Sequence, residues 1–318
     1  MGTAMATHLA GRGHRVHLWM RHPDDVAAIT ATGASPHLPS VPLPDRVVAT
    51  SDAADLLTAE ALLVAIPSKF LRGQLRQLAT VLRERSQPVI SVVKGLEVDT
   101  FARPSAIIRD ELGERPVACL SGPSHAEEIA VGLPASLVAA SDEADWARRV
   151  QTLATGLRFR VYTNDDLTGT ELAGGLKNIM GLAAGISDGI GYGDNAKAAL
   201  LTRATAEMQR FGAAMGADAA TFAGLAGIGD LITTCTSRHG RNRAVGQRLG
   251  QGERLEAILD DMGGSVAEGV PTTQAVHALA RSRGWELPIV AEVHAVLFDG
   301  KSPTDACDSL MTRPLRAE

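Results

Sequence analysis

The chain has 318 residues, 45% hydrophobic and 21% charged, with a formal net charge of -5; this length calls for two domains of roughly 150 residues, and the acidic balance argues against a nucleic-acid binder. Cys119, Cys235 and Cys307 are widely spaced with no CxxC, so a reducing, cytoplasmic setting is expected rather than a disulfide framework. No apolar run of roughly 18 residues stands out and no leader pattern opens the chain, so no membrane span is expected.

Residues 1–19 read MGTAMATHLAGRGHRVHLW. Thr3–Gly11 predicts a short helix and Val16–Trp19 a strand, the α–β portion of a dinucleotide-binding unit. Gly2 stands where the third glycine of G-x-G-x-x-G would be. The first two glycines make the tight turn and admit a pyrophosphate. They and the opening strand are expected in about 10–15 residues upstream of Met1. The alternative is a chain that starts with a helix and binds no dinucleotide. Met20, Arg21 and His22 follow the strand without a carboxylate. A cation there suits a 2′-phosphate, so NADP should be accepted as well as NAD; a solvated surface pair is the other reading.

Further strands are predicted at Val47–Thr50, Ala61–Ile66, Pro88–Val93, Val117–Leu120, Ala135–Ala140 and Phe159–Tyr162. Helices are predicted between them, as at Lys69–Arg85 and Asp142–Thr155. Alternation of this kind implies βαβ units and a parallel sheet. After about Leu167 the grammar changes to Ala- and Leu-rich helical segments: Glu171–Asp188, Ala196–Met215, Val270–Arg283 and Ile289–Phe298. Gly189, Gly191 and Gly193 read as a turn between the first two. The expected organisation is therefore an α/β Rossmann-like domain over residues 1–166, its first strand missing, and an all-α domain over 167–318. Small-molecule sites tend to lie where two such domains meet.

Four segments carry chemistry. Lys94 leaves the end of a strand in Val92-Val93-Lys94-Gly95-Leu96-Glu97, where ligands of open α/β sheets sit; an ordinary loop lysine is the plainer reading. In Ser121-Gly122-Pro123-Ser124-His125-Ala126-Glu127, Ser124 and Glu127 are expected to form a capping box, and helix-start N–H groups attract anions. Lys177 lies in a helical stretch of small and apolar residues. Burial there would lower its pKa and favour proton transfer near neutrality. Asp230 sits in a Gly-rich apolar run and needs a partner if buried. Arg241 and Asn242 open a predicted helix, Asn242–Leu249, that could cradle a phosphate; a solvated basic turn is the alternative. No HExxH or comparable metal motif is present.

Together these segments resemble the NAD(P)-dependent glycerol-3-phosphate dehydrogenase family. The resemblance runs from Gly2 to Glu318. It is carried by VVKGLE at Val92, SGPSHAEEIA at Ser121, ELAGGLKNIMGLAAGISDG at Glu171 and GDNAKAALLTR at Gly193. FAGLAGIGDLITTCTSRHGRNR at Phe222, VAEGVPTT at Val266 and MTRPLRAE at Met311 complete it. It implies a Rossmann domain joined to a helical domain like that of 6-phosphogluconate dehydrogenase. It also implies interconversion of dihydroxyacetone phosphate and sn-glycerol 3-phosphate with NADP or NAD, feeding glycerophospholipid synthesis.

By the resemblance Lys177 is the proton-transfer lysine, with Asp230 and Lys94 as its catalytic neighbours. Substrate contacts match Lys94, Gly122, Ser124, Lys177, Asp230, Gly240, Arg241 and Asn242. Cofactor contacts match Gly2, Arg21, Lys94, Ala126, Arg241, Val266 and Glu268. Asn178 and Thr234 are expected beside the reacting centre. Gly240 stands where bacterial members usually have a serine. A homodimer is compatible with the resemblance. The competing expectations are a reductase of 2-keto or 3-hydroxy acids and a catalytically silent, N-terminally truncated binding protein.

Overall fold

The computed structural model describes residues 1–262 and 267–315. The chain divides into two units. The first is Met1–Val93 with Pro104–Leu167; the second is Lys94–Arg103 with Thr168 onward. The ten residues from Lys94 to Arg103 thus group with the second unit although they lie within the span of the first.

The first unit begins with helix α1 (Gly2–Gly11), strand β1 (Val16–Trp19), helix α2 (Pro23–Thr32) and a short hairpin of β2 (Ala34–Ser35) and β3 (Leu38–Pro42). Strand β4 (Val47–Thr50) follows. Pro23 opens α2 with a fixed φ suited to a first helical turn. Gly33 ends it in the left-handed region at φ 72°. β1 and β4 pair in parallel, Val16 opposite Val47.

The remaining strands form one five-stranded sheet in the order β5 (Leu62–Val64), β6 (Val89–Ser91), β7 (Val117–Ser121), β8 (Ala135–Ser141), β9 (Phe159–Asn164). Helices α3 (Ser68–Leu82), α4 (Pro104–Leu112), α5 (Ala126–Ala130) and α6 (Ala144–Ala154) connect them. The sheet is parallel, as expected, except at one place: β8 runs antiparallel to β7. The short α5 does not carry the chain back across the sheet, as a parallel crossover would require. Every residue of β7 is buried, as a strand covered on both faces should be. Trp146 of α6 packs into the same core and donates its indole N–H to the Val89 carbonyl at 3.0 Å.

The second unit is helical: α7 (Leu167–Ile190), α8 (Asp194–Ala214), α9 (Ala219–Phe222), a π-helical turn over Leu225–Gly229, α10 (Asp230–Thr236) and α11 (Arg241–Gly250). α12 (Leu255–Asp261), α13 (Gly269–Arg283), α14 (Pro288–Phe298) and α15 (Pro303–Met311) complete it. α7 is apolar nearly all round, and a helix of that kind has to be buried. Leu172, Ala173, Leu176, Ile179, Met180 and Leu182 are each at most 1% exposed. Gly189 lies inside α7 rather than in the expected turn, which is made by Gly191 at φ 92°.

Gly181, Gly185 and Gly189 fall four residues apart and so share one face of α7; Gly246 and Gly250 do the same on α11. A Cβ on Gly185 would lie 2.1 Å from the Arg243 carbonyl oxygen, and one on Gly246 would lie 2.1 Å from that of Leu182. The two helices therefore meet backbone against backbone. Asp188 secures the seam by pairing with Arg243 of α11 at 2.6 Å and with Lys197 of α8 at 2.6 Å.

Ala219–Thr236 is, among the described residues, a stretch long and apolar enough by composition to cross a membrane. It is broken into α9, the π-helical turn and α10, and it contains the buried, ion-paired Asp230. Both features fit a place inside a folded unit.

Candidate active site

The chemistry gathers around the middle of α7 in the second unit. Glycine makes the approach to Asp230 possible: a Cβ on Gly227, in the π-helical turn, would fall 2.0 Å from the Phe222 carbonyl oxygen. π-helical turns recur at functional sites because they redirect the residues that follow. Here the next residue is Asp230, which opens α10 and is 1% exposed. Its carboxylate takes one lysine on each oxygen. Lys177 donates to Oδ1 at 2.7 Å and Lys94 to Oδ2 at 2.6 Å. Burial alone would raise the Asp230 carboxyl, but the two ammonium groups outweigh it and hold the carboxyl below its ordinary value.

Lys177 is 8% exposed. Its pKa is lowered to about 8, chiefly by burial and then by Lys94, while Asp230 and, more weakly, Glu268 pull the other way. Lys177 also donates to the Thr234 hydroxyl at 2.7 Å. An ammonium has three donors, and the two bonds to Asp230 and Thr234 leave a third N–H for a substrate oxygen.

Beside Lys177 runs a directional relay. The backbone N–H of Gly269 can only donate, and it donates to Asn242 Oδ1 at 2.9 Å. That fixes the Asn242 amide, whose Nδ2 donates to Asn178 Oδ1 at 3.0 Å. Asn178 must then present its own NH2 as a donor. That nitrogen is buried with no partner among the described residues. A buried donor of this kind costs about 1–3 kcal/mol unless something accepts from it.

Asn242 is the second residue of α11, and the exposed Arg241 is the first. Gly240 precedes them. A Cβ there would lie 2.9 Å from the Thr234 carbonyl oxygen, so no side chain could be seated here without a shift of α10. Glu268 stands at the start of α13. Val266 lies outside the described residues.

Gly2, Arg21, Gly122, Ser124 and Ala126 belong to the first unit. α1 opens at Gly2 with no side-chain cap and no acid in its first turn, which favours an approaching anion. A Cβ on Gly2 would already be 3.3 Å from Ala65, just beyond β5. Arg21 is exposed beyond the end of β1. This set of an uncapped helix start, a glycine and a cation fits a phosphorylated dinucleotide. Gly122 follows β7 at φ 133°, with room for no side chain against Leu137. The capping box does not form: Ser124 Oγ donates to the Gly122 carbonyl at 2.9 Å, and α5 starts only after His125, without a side-chain cap.

Sequence reasoning passed over the glycine seam, legible in the four-residue spacing of Gly181, Gly185 and Gly189. Burial pushes the Cys235 thiol up to about 12, which removes it as a nucleophile. Among the described residues no cluster of three or more His, Cys, Asp or Glu could hold a metal.

Known proteins give this geometry a family. Residues 1–147 match the model of the NAD-dependent glycerol-3-phosphate dehydrogenase N-terminus, and residues 166–308 match that of its C-terminus. A glycerol-3-phosphate dehydrogenase [NAD(P)+] of Geobacillus kaustophilus is 46% identical over 322 aligned residues, covering 100% of this chain and 93% of the relative. The crystal structure of glycerol-3-phosphate dehydrogenase from Coxiella burnetii superposes with a TM-score of 0.93 at 36% identity, covering 98% of this chain and 95% of that one. A ketopantoate reductase from Ralstonia eutropha, at 17% identity and a TM-score of 0.57, shares the fold alone. The chain belongs to the NAD-dependent glycerol-3-phosphate dehydrogenase family.

Proposed function

We infer that this chain is an NAD(P)-dependent oxidoreductase that interconverts dihydroxyacetone phosphate and sn-glycerol 3-phosphate, the three-carbon unit of glycerophospholipid synthesis. The observation that carries the reading is the buried Lys177, ion-paired to Asp230, with one N–H still to donate. NAD(P), when bound, supplies the hydride for the carbonyl carbon in reduction and accepts it in oxidation.

The residues do the rest. As ammonium, Lys177 directs its third N–H at the carbonyl oxygen, draws charge onto it and gives up a proton as the alkoxide forms. In the oxidative direction the neutral amine takes the hydroxyl proton back. A pKa of about 8 keeps both forms accessible near neutrality. Asp230 keeps the amine charged in a buried setting, and Lys94, the second ammonium on that carboxylate, leaves the trio net positive. The Asn178 NH2 offers a second oriented donor to a substrate oxygen. Arg241, with the N–H groups that open α11, suits the phosphate. Arg21 and the start of α1 suit the cofactor phosphates.

The test is oxidation of NADPH and NADH with dihydroxyacetone phosphate, with ketopantoate as control substrate. Turnover of the triose phosphate and not of ketopantoate is expected. Lys177→Met should lower kcat by at least about 100-fold, the loss of a general acid. Wild-type turnover by that variant would refute the assignment of Lys177.

A further inference from the structure

The ten-residue segment Lys94–Arg103 is bound to the helical unit at both of its ends. At the first end Lys94 meets Asp230 at 2.6 Å. At the other, Arg103 pairs with Glu171 at 2.6 Å, and the Glu171 side chain is 0% exposed. Between them the loop closes on itself. The Glu97 N–H donates to the Ala102 carbonyl at 3.0 Å, the Phe101 N–H to the Glu97 carbonyl at 2.9 Å, and Thr100 to the Glu97 carboxylate. Phe101 is the one non-glycine residue with positive φ among the described residues, at 59°. A bulky side chain is held there only when its surroundings fix it.

Glu171, Gly175 and Asn178 share one face of α7, four and then three residues apart. A Cβ on Gly175 would come within 3.3 Å of the Gly95 backbone, so the loop lies directly on that face. A carboxylate as buried as Glu171 is expensive to keep without a partner. The Arg103 pair therefore holds the loop down, and the loop is what presents Lys94.

We propose that Arg103 and Glu171 are positioning residues: their buried ion pair clamps the Lys94–Arg103 loop onto α7 and so fixes the Lys94 ammonium on Asp230. This rests on the dehydrogenase reading above for its kinetic consequences, though not for its structural one. Without the clamp, Lys94 leaves the carboxylate part of the time. Lys177 then loses a like-charged neighbour and keeps Asp230 to itself.

The neutral double variant Arg103→Gln/Glu171→Gln tests the clamp without stranding a buried charge. Two readouts are needed. The first does not involve activity: reductive methylation followed by peptide mass spectrometry reports how often the Lys94 amine is free. Lys94 should be modified at least about tenfold faster in the variant than in the wild type, a change of one decade in a pairing equilibrium. The second is kinetic. kcat/KM for triose phosphate reduction should fall, with its alkaline limb displaced to higher pH, and the loss should vanish in a Lys94→Met background because the two changes act through one group.

Arg103→Lys should restore part of the protection. An unchanged methylation rate for Lys94 overturns the clamp. So does a kinetic loss that persists undiminished beside Lys94→Met. If the wild type itself fails to reduce the triose phosphate, the functional reading falls, while the methylation result still decides the clamp.

Discussion

Asp230→Asn isolates the electrostatic core of the site, because it removes one charge and almost no volume. In the wild type Lys177 lies 2.7 Å from the carboxylate. At an effective dielectric of about 20 a unit pair at that range attracts by about 6 kcal/mol. If nothing relaxed, this would move the lysine by about four pKa units. Asparagine still offers a carbonyl oxygen, and the cavity will adjust, so a fall of about two units is expected. The Lys177 pKa would drop from about 8 to near 6.

In reduction the lysine must be protonated. At pH 7.5 the protonated fraction then falls about 25-fold, while at pH 5.5 it stays within about a third of the wild-type value. Initial rates of NADH oxidation at saturating triose phosphate, taken at both pH values, separate this from general damage. Circular dichroism and a thermal melt check that the variant is folded. The expected result is a large loss at pH 7.5 that is mostly recovered at pH 5.5. An equal loss at both pH values would refute the view that Asp230 acts by keeping Lys177 charged.

Three other outcomes follow from particular contacts. Gly185→Ala puts a methyl group 2.1 Å from the Arg243 carbonyl oxygen; forcing the helices apart should cost roughly 1–3 kcal/mol of stability, read by urea denaturation, against the gain of up to about 1 kcal/mol that alanine brings to an unobstructed helix. Burial raises Glu207 to about 7 despite the N–H groups of Ile289 and Val290 that it accepts; because the folded state holds that proton more tightly, about 3 kcal/mol of stability present at pH 4.5 is lost as the pH rises to 7, and Glu207→Gln should flatten Tm across that window. Arg21→Ser should raise KM for NADPH about tenfold, one charge-assisted bond, and leave KM for NADH nearly unchanged; equal effects on both would remove Arg21 from the 2′-phosphate.

The sequence is most legible where one residue type has few places to go. A lysine among Leu, Gly and Ala can be tolerated only beside a carboxylate, so Lys177 and Asp230 could be singled out before their contact was known. β-branched runs located the main strands to within about two residues because their period differs from that of the helices. The antiparallel β8 was not legible, since strand direction depends on how the connection returns and not on the strand's own composition. Nor was the capping box of Ser124 decidable: the Ser-x-x-Glu spacing is right, but a Gly-Pro turn sets the backbone first. The Arg103–Glu171 pair joins residues 68 positions apart, and no local pattern announces a partner at that distance.

The glycine seam and the amide relay are two consequences of one packing decision. Asn178 and Asn242 lie on different helices, and their 3.0 Å bond requires α7 and α11 to approach more closely than any side chain between them allows. Gly269, at the start of α13, comes near enough to orient Asn242, and a Cβ there would sit 2.9 Å from its Oδ1. The direction of the last donor in the site is thus set by residues whose contribution is to have no side chain. A methyl group anywhere along the seam separates the helices by an ångström or so, and misplacement on that scale can reduce a rate by about 100-fold. Gly185→Ala, about two turns away from Lys177, should therefore slow catalysis by more than its stability loss accounts for. A folded Gly185→Ala enzyme with wild-type kcat would mean that the relay does not depend on the seam.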